Sequence, residues 1–145
     1  MKKNCPYCNQ RQIKQRLIFR NKLAQAFPTN IPIVPGHILI SPVRCVEKYE
    51  DLTFDEQKAI FDLFVKLKKA LKKSFKAKGF NIVWNEGKLA GQNVSHFHLH
   101  LVPRKDGDEG ITEYEPRKFL YRPGSREESP QEELIAVSKK INKSI

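Results

Sequence analysis

The chain has 145 residues, 39% hydrophobic and 10% aromatic, which is the size and composition of one globular domain with a real core and excludes a disordered chain. A formal net charge of +11 and a pI near 9.7 predict attraction to polyanions, so nucleic acid is a candidate partner. No run is long enough to span a membrane and Met1-Lys2-Lys3-Asn4-Cys5 lacks the apolar stretch of a signal peptide, so no membrane partner and a cytoplasmic location are expected.

Cys5-Pro6-Tyr7-Cys8 comes first in the chain and admits two readings. A dithiol redox motif of this form follows the first strand of a βαβ unit, and only Met1 to Asn4 precede Cys5, too few for that strand. A metal knuckle fits better: two thiolates at this spacing grip one tetrahedral ion from a tight turn, and two more ligands come from elsewhere. The total of three cysteines argues against a closed disulfide framework and for a reducing compartment.

Leu17-Ile18-Phe19 and Leu23 to Phe27 read as a hairpin around Arg20-Asn21-Lys22, and His37 to Ser41 as a third strand. Thr53-Phe54-Asp55-Glu56 is a capping box that opens a long helix, for which Gly79 is the expected stop. Ile60, Phe64, Leu67, Leu71 and Phe75 recur at spacings of three and four and form its apolar stripe. Lys58, Lys66, Lys68, Lys69, Lys72, Lys73, Lys76 and Lys78 then make its solvated face, without the interleaved aromatics of a nucleic-acid surface. Phe80 to Asn85 is a fourth strand and His96 to Pro103 a fifth. Sequential strands with one helical crossover predict an α+β fold, a five-stranded antiparallel sheet packed on one long helix.

Residues 107 to 129 break the pattern and mix Arg117, Lys118, Arg122 and Arg126 with Tyr114, Phe119 and Tyr121. This stretch reads either as a lid near a polyphosphate or nucleic-acid strand, or as a surface loop packed by its own aromatics. Ser129 then caps a C-terminal helix over 130–145, with Pro130 in its first turn.

The chemistry concentrates at His96-Phe97-His98-Leu99-His100. On an extended strand, side chains two apart point the same way, so the imidazoles form one row and Phe97, Leu99 and Leu101 the opposite, apolar row. Packing does not require three imidazoles side by side, whereas proton transfer, nucleophilic attack and metal ligation all use them. Neighbours in the row sit about 6.6 to 7 Å apart at the backbone, so three ligands on one ion from a flat strand would be strained. The row is expected to divide between tasks.

The segment His96 to Val102 resembles the signature of the histidine triad (HIT) family, three alternating histidines with apolar residues between and after them. Asn85-Glu86-Gly87, Gly91-Gln92-Asn93-Val94, Pro35-Gly36-His37-Ile38-Leu39-Ile40-Ser41-Pro42 and Pro103-Arg104-Lys105 are similar to further stretches of that family, especially its fragile-HIT branch. The resemblance covers roughly residues 5 to 105. It implies a half-barrel sheet, a homodimer formed through the helix and the adjoining strand, and nucleotidyl transfer through a covalent nucleotidyl-histidine. On this likeness His98 is the nucleophile, held by the main-chain carbonyl of His96. His100 and His37 steady the phosphoryl group, and Asn85, Gly91, Gln92 and Asn93 supply donors to it. Phe27, with Leu17 or Ile18, is an apolar contact for the base. The ribose contact falls to Thr29, or by a slip of one residue to Asn30.

The implied substrates are dinucleoside polyphosphates or nucleoside phosphoramidates, with an adenine nucleotide foremost and no cofactor needed for catalysis. Phosphorolysis or nucleotidyl transfer is the alternative within enzymes. Phe97 stands where the uridylyltransferase branch has Pro. Outside that class the alternative is a zinc-bearing nucleic-acid-binding protein that removes adenylate from DNA ends. Related proteins also pair an N-terminal Cys-x-x-Cys with the first triad histidine and a His downstream of the Pro-Gly-His strand. In this chain that last position is Cys45, so the likeness implies a structural Zn2+ site of Cys5, Cys8, Cys45 and His96. A free Cys45 beside an exposed dithiol is the competing reading.

Overall fold

The computed structural model describes residues 4–108 and 128–145. The basic and aromatic residues from Tyr114 to Arg126 lie outside the described residues. Two helical turns, α1 (Pro6–Asn9) and α2 (Arg11–Gln15), lead into β1 (Phe19–Arg20) and β2 (Ala24–Pro28). Asn21 makes the hairpin turn, its Oδ1 accepting from the Leu23 and Ala24 N–H groups at 2.8 Å each. The chain continues through β3 (Ile38–Pro42), α3 (Phe54–Phe75), β4 (Gly79–Val83), β5 (Leu99–Arg104) and α4 (Gln131–Asn142). The strands form one antiparallel sheet in the order β1-β2-β3-β5-β4, the α+β architecture expected.

Strand alternation sorts the side chains into two layers. Ala24, Ala26, Ile38, Ile40, Leu99 and Leu101 pack with Phe97 against Ile60, Leu63, Leu67 and Leu71 of α3, which makes the main core. On the other face Phe27 and Leu39 meet Ile13, Tyr7 and Leu17 from the N-terminal turns. The histidines belong to this second face. Leu17 therefore lies with Phe27, whereas Ile18 belongs to the main core.

Helix α3 starts as predicted. The Glu56 N–H donates to Thr53 Oγ1 (3.2 Å) and the Thr53 N–H to Glu56 Oε2 (2.9 Å), so two groups that the first turn would leave unpaired satisfy each other. Its end differs from the prediction. Lys76, at φ 56°, takes the left-handed cap, and Gly79 is the first residue of β4. The helix has to stop early because the Lys78 N–H already donates to the Arg104 carbonyl (2.8 Å), beginning the ladder between β4 and β5. Most of the helix lysines face solvent; Lys68 is half-buried, its ammonium over the rings of Phe64 and Phe80. At α4 the correction is one residue: the Ser129 N–H is tied to the Asn30 carbonyl (2.7 Å), and the first helical bonds run to the carbonyl of Pro130, which is the N-cap. Among the described residues no helix is long and apolar enough to cross a membrane.

Gly36 aims the site. It has φ +91°, and a Cβ there would lie 3.0 Å from Pro103 Cγ and 3.1 Å from Phe75 Cγ, so only glycine lets the chain turn under the end of α3 and present His37 at the start of β3.

Glu56 also receives a two-pronged Arg44, Nε to Oε1 at 2.9 Å and Nη2 to Oε2 at 2.8 Å. The Arg44 hydrogen bonds, outweighing burial, hold the Glu56 carboxyl below its ordinary value of 4.5. A depressed carboxylate contributes stability that is complete above that ordinary value and is lost as pH falls through the lowered one. Glu56→Gln keeps a capping acceptor without the charge. It should cost about 1–2 kcal/mol at neutral pH, and its urea unfolding midpoint should converge with that of the parent chain as the buffer is taken well below 4.5; a constant gap would contradict the assignment.

Candidate active site

Only the last triad histidine lies in the hydrogen-bonded ladder. His100 sits between Leu39 of β3 and Val83 of β4. Residues 96–98 approach β5 from outside it, the Phe97 N–H donating to the Val46 carbonyl (2.6 Å) while the Phe97 ring enters the core. The alternation survives this departure, and the row does divide between tasks.

His98 is 7% exposed. Its Nδ1 lies 2.8 Å from the carbonyl oxygen of His96, an acceptor without a proton, so Nδ1 carries the hydrogen and donates. The lone pair is thereby placed on Nε2, which makes no hydrogen bond among the described residues. Burial pulls the His98 pKa below its ordinary value, against a smaller raising effect from the bond to His96. Near neutral pH the ring is uncharged, in one fixed tautomer, with the lone pair of Nε2 available for attack.

A second chain of bonds fixes the neighbouring rings. The Ile33 N–H donates to His37 Nδ1 (3.0 Å), which puts the His37 proton on Nε2. His37 Nε2 lies 3.0 Å from His100 Nδ1, so that proton is donated and the His100 proton sits on its own Nε2. The ring centroids of His98 and His100 are 5.1 Å apart. A lone pair and an N–H donor therefore stand side by side, both set by backbone groups.

The ring of His96 turns away to the cysteines. Its Nε2 donates to the Pro42 carbonyl (2.8 Å), leaving the Nδ1 lone pair 3.1 Å from Cys5 Sγ and 3.6 Å from Cys8 Sγ. With Cys45 Sγ these ligand atoms all lie within 4.8 Å of one another. A tetrahedral zinc with sulfur at about 2.3 Å and nitrogen at about 2.0 Å separates such donors by roughly 3.5 Å, so the set fits one ion, and the Nε2–H bond to a carbonyl is the usual outer support of a ligating imidazole. Burial first, and then the crowding of Cys5 and Cys45, pushes the Cys8 thiol up to about 12. A cation among the three sulfurs would relieve that crowding.

The residues expected to bind substrate separate into two groups. Asn85 is buried and Asn93 exposed, and neither makes a hydrogen bond among the described residues, so both amides are available as donors. Gly91 and Gln92 instead close their own loop. The Gly91 N–H donates to the Lys88 carbonyl and the Gln92 N–H to the Gly87 carbonyl (3.1 Å each), while the Gln92 amide accepts from the Gly87 N–H (2.8 Å) and donates to the Glu47 carbonyl (3.0 Å). Their backbone donors are therefore used within the turn. Phe27 is fully buried beneath Tyr7. Thr29 is buried and its Oγ1 accepts from the Ile31 N–H (3.4 Å), whereas the Asn30 amide donates to Glu128 Oε1 (3.0 Å) at the surface.

Sequence reasoning missed Tyr7. Read only as a spacer between two thiols, it packs edge-on against His98, with centroids 5.2 Å apart, and against Phe27 at 5.1 Å. Gln25, itself buried, secures it by donating to the Tyr7 carbonyl (3.2 Å). Its place as an aromatic inside the knuckle was the signal available.

A sequence model of the HIT domain matches residues 10–107. The chain belongs to the HIT family. It is 37% identical over 102 residues to an asymmetrical bis(5'-nucleosyl)-tetraphosphatase of Schizosaccharomyces pombe, covering 70% of this chain and 56% of that protein. It is 29% identical over 118 residues to a bis(5'-adenosyl)-triphosphatase of Dictyostelium discoideum, covering 81% of this chain and 76% of that protein. Among solved structures it is similar to the diadenosine triphosphate hydrolase of Plasmodium falciparum in complex with cyclomarin A, with a TM-score of 0.63 and 26% identity over 90% of this chain and 78% of that one. The HIT match begins after Cys8, so the cysteine turn lies outside it.

Nitrogen-15 spectra of histidine-labelled protein near neutral pH should show His98 as the Nδ1–H tautomer and His37 and His100 as Nε2–H tautomers. A His98 proton on Nε2 would contradict the tautomer assigned from the His96 carbonyl.

Proposed function

We propose that this HIT protein hydrolyses dinucleoside polyphosphates, or nucleoside phosphoramidates, at the α-phosphorus through a nucleotidyl-His98 intermediate. The observation that carries the reading is the unprotonated, unbonded Nε2 of a buried His98 standing next to the His100 N–H. Similarity to a bis(5'-nucleosyl)-tetraphosphatase and a bis(5'-adenosyl)-triphosphatase supports the substrate class, and the adenosyl relative supports an adenine nucleotide as substrate. In the first step the Nε2 lone pair forms the N–P bond while the bond to the leaving group breaks, either the P–O bond of the departing phosphate or, in a phosphoramidate, the P–N bond of an amine that departs protonated from solvent, and Nδ1–H stays hydrogen-bonded to the His96 carbonyl so that charge developing on the ring is held. His100, with His37 behind it, donates to the phosphoryl oxygens, and Asn85 and Asn93 add neutral donors. Water then opens the N–P bond and releases the nucleoside monophosphate.

Cys5, Cys8, Cys45 and His96 would hold a structural zinc, whose contribution when bound is to cross-link the N-terminal turn to the start of the triad. The reading also includes a homodimer through α3 and the adjoining β4. It is supported by the exposure of Phe61 (62%) on the helix and of Ile82 (43%) on the edge strand.

His98→Ala should lower kcat/KM on a diadenosine polyphosphate by on the order of 10^4-fold or more, and His100→Ala by about 10^2 to 10^3-fold, the loss typical of one oxyanion donor. Full turnover by His98→Ala would end the proposal. Purified protein should carry about one zinc per chain by elemental analysis. Cys45→Ser should lose most of it on dialysis, and retention of all the metal by that variant would remove Cys45 from the site.

A further inference from the structure

A cavity of about 500 Å3 lies between the cysteine turn, α2 and the start of α4, walled by Tyr7, Gln10, Arg16, Asn30, Val94 and Gln131 among others. That is the size of a small-molecule site. Tyr7 belongs both to its wall and to the edge contact on His98, so one aromatic ring separates the cavity from the nucleophile.

Arg16 is the one cation in this wall among the described residues, and it is 6% exposed. Its Nη1 donates to Gln131 Oε1 (2.9 Å), its Nε is buried with no partner, and no carboxylate among the described residues comes within ion-pair distance. Glu128 acts on it from the wall, but Glu128 is exposed and its Oε1 is taken by the Asn30 amide. Burial accordingly lowers the Arg16 pKa. A guanidinium cannot escape by losing its proton, so a positive charge held out of water without an ion pair stays unfavourable until an anion reaches it. The group is held in place, since the Arg16 carbonyl accepts from Ser138 Oγ of α4 (2.6 Å) and the Gln131 amide donates to the Gln12 carbonyl (2.8 Å). Arg44 offers the contrast: its Nε and Nη2 are engaged by the Glu56 carboxylate and the Asp51 carbonyl, whereas Arg16 Nε has no partner.

We propose that Arg16 makes this cavity an anion subsite beside the triad, taking a phosphate group with its guanidinium fork and with the Gln10 and Asn30 amides as neutral donors. The choice of phosphate as the anion rests on the nucleotide chemistry proposed for His98; the presence of an anion site does not. Two sources share this chemistry, a phosphate carried by the substrate and free phosphate or pyrophosphate.

The test is a titration of the full chain with inorganic phosphate and with pyrophosphate, following arginine side-chain Nε–H signals by NMR. The Arg16 signal is identified by its absence in Arg16→Met, or in Arg16→Lys should the methionine variant fail to fold. A saturable shift of that signal is expected, with the Arg44 and Arg104 signals, engaged by Glu56 and Asp108, staying in place. Kinetics separate the sources. If the substrate carries the anion, Arg16→Met raises KM for a dinucleoside polyphosphate about 10-fold more than for a phosphoramidate with a single phosphorus; if it is free, the variant loses inhibition by pyrophosphate instead. No saturable shift at Arg16 with either anion overturns the proposal, and that reading stands whether or not His98 proves to be the nucleophile.

Discussion

The hydrogen bond from His98 Nδ1 to the carbonyl of His96 is the contact on which the site depends. Its net energy is about 1 kcal/mol, small beside the core. Its consequence is a choice of tautomer, because a carbonyl can only accept, and that choice leaves the outward nitrogen with a lone pair. His96 serves two ends at once. Its carbonyl sets the tautomer of His98 while its ring, fixed by the Pro42 carbonyl, faces Cys5 and Cys8. Whatever holds the cysteine cluster together therefore also holds the residue that aims His98, and Tyr7, inside the same turn, bears on the His98 ring from the side.

The fold makes this arrangement possible by covering both faces of one sheet. The α3 side excludes water with aliphatic side chains, and the opposite side is closed by two short N-terminal turns lying over Phe27 and Leu39. Burial on that second face keeps His98 uncharged, and it also surrounds Arg16, which has no ion pair among the described residues. The rings are positioned by rigid elements: β3 carries His37 in from the turn at Gly36, β5 carries His100, and their adjacency in the sheet brings the two rings into hydrogen-bond contact.

Much of this was legible in the residues because the signals are local. The two-residue alternation of Phe97, Leu99 and Leu101 against the histidines, the three-and-four spacing of Ile60, Phe64, Leu67 and Leu71, and the capping box at Thr53 each depend on neighbours within a turn or two. The strain of placing three ligands along one strand was enough to expect the row to divide, and the family resemblance supplied which ring would go where. What escaped depends on groups far apart in the chain or on main-chain atoms. The left-handed cap at Lys76 is imposed by a strand bond to Arg104, against the local preference for Gly79. The Pro42 carbonyl and the Ile33 N–H, which set two tautomers, leave no mark in side-chain identity. Gly91 and Gln92 fit a phosphate loop by type, yet their backbone donors close a turn on Lys88 and Gly87.

The most direct test of a histidine that bonds to phosphorus is the stereochemical course of the reaction. A diadenosine polyphosphate analogue, chiral by sulfur and heavy oxygen at the attacked α-phosphorus, would be hydrolysed in isotopic water and the product configuration assigned. Attack by His98 followed by attack by water inverts twice, so net retention is predicted. Net inversion would mean that water attacks the substrate directly and that the Nε2 lone pair of His98 is not the nucleophile.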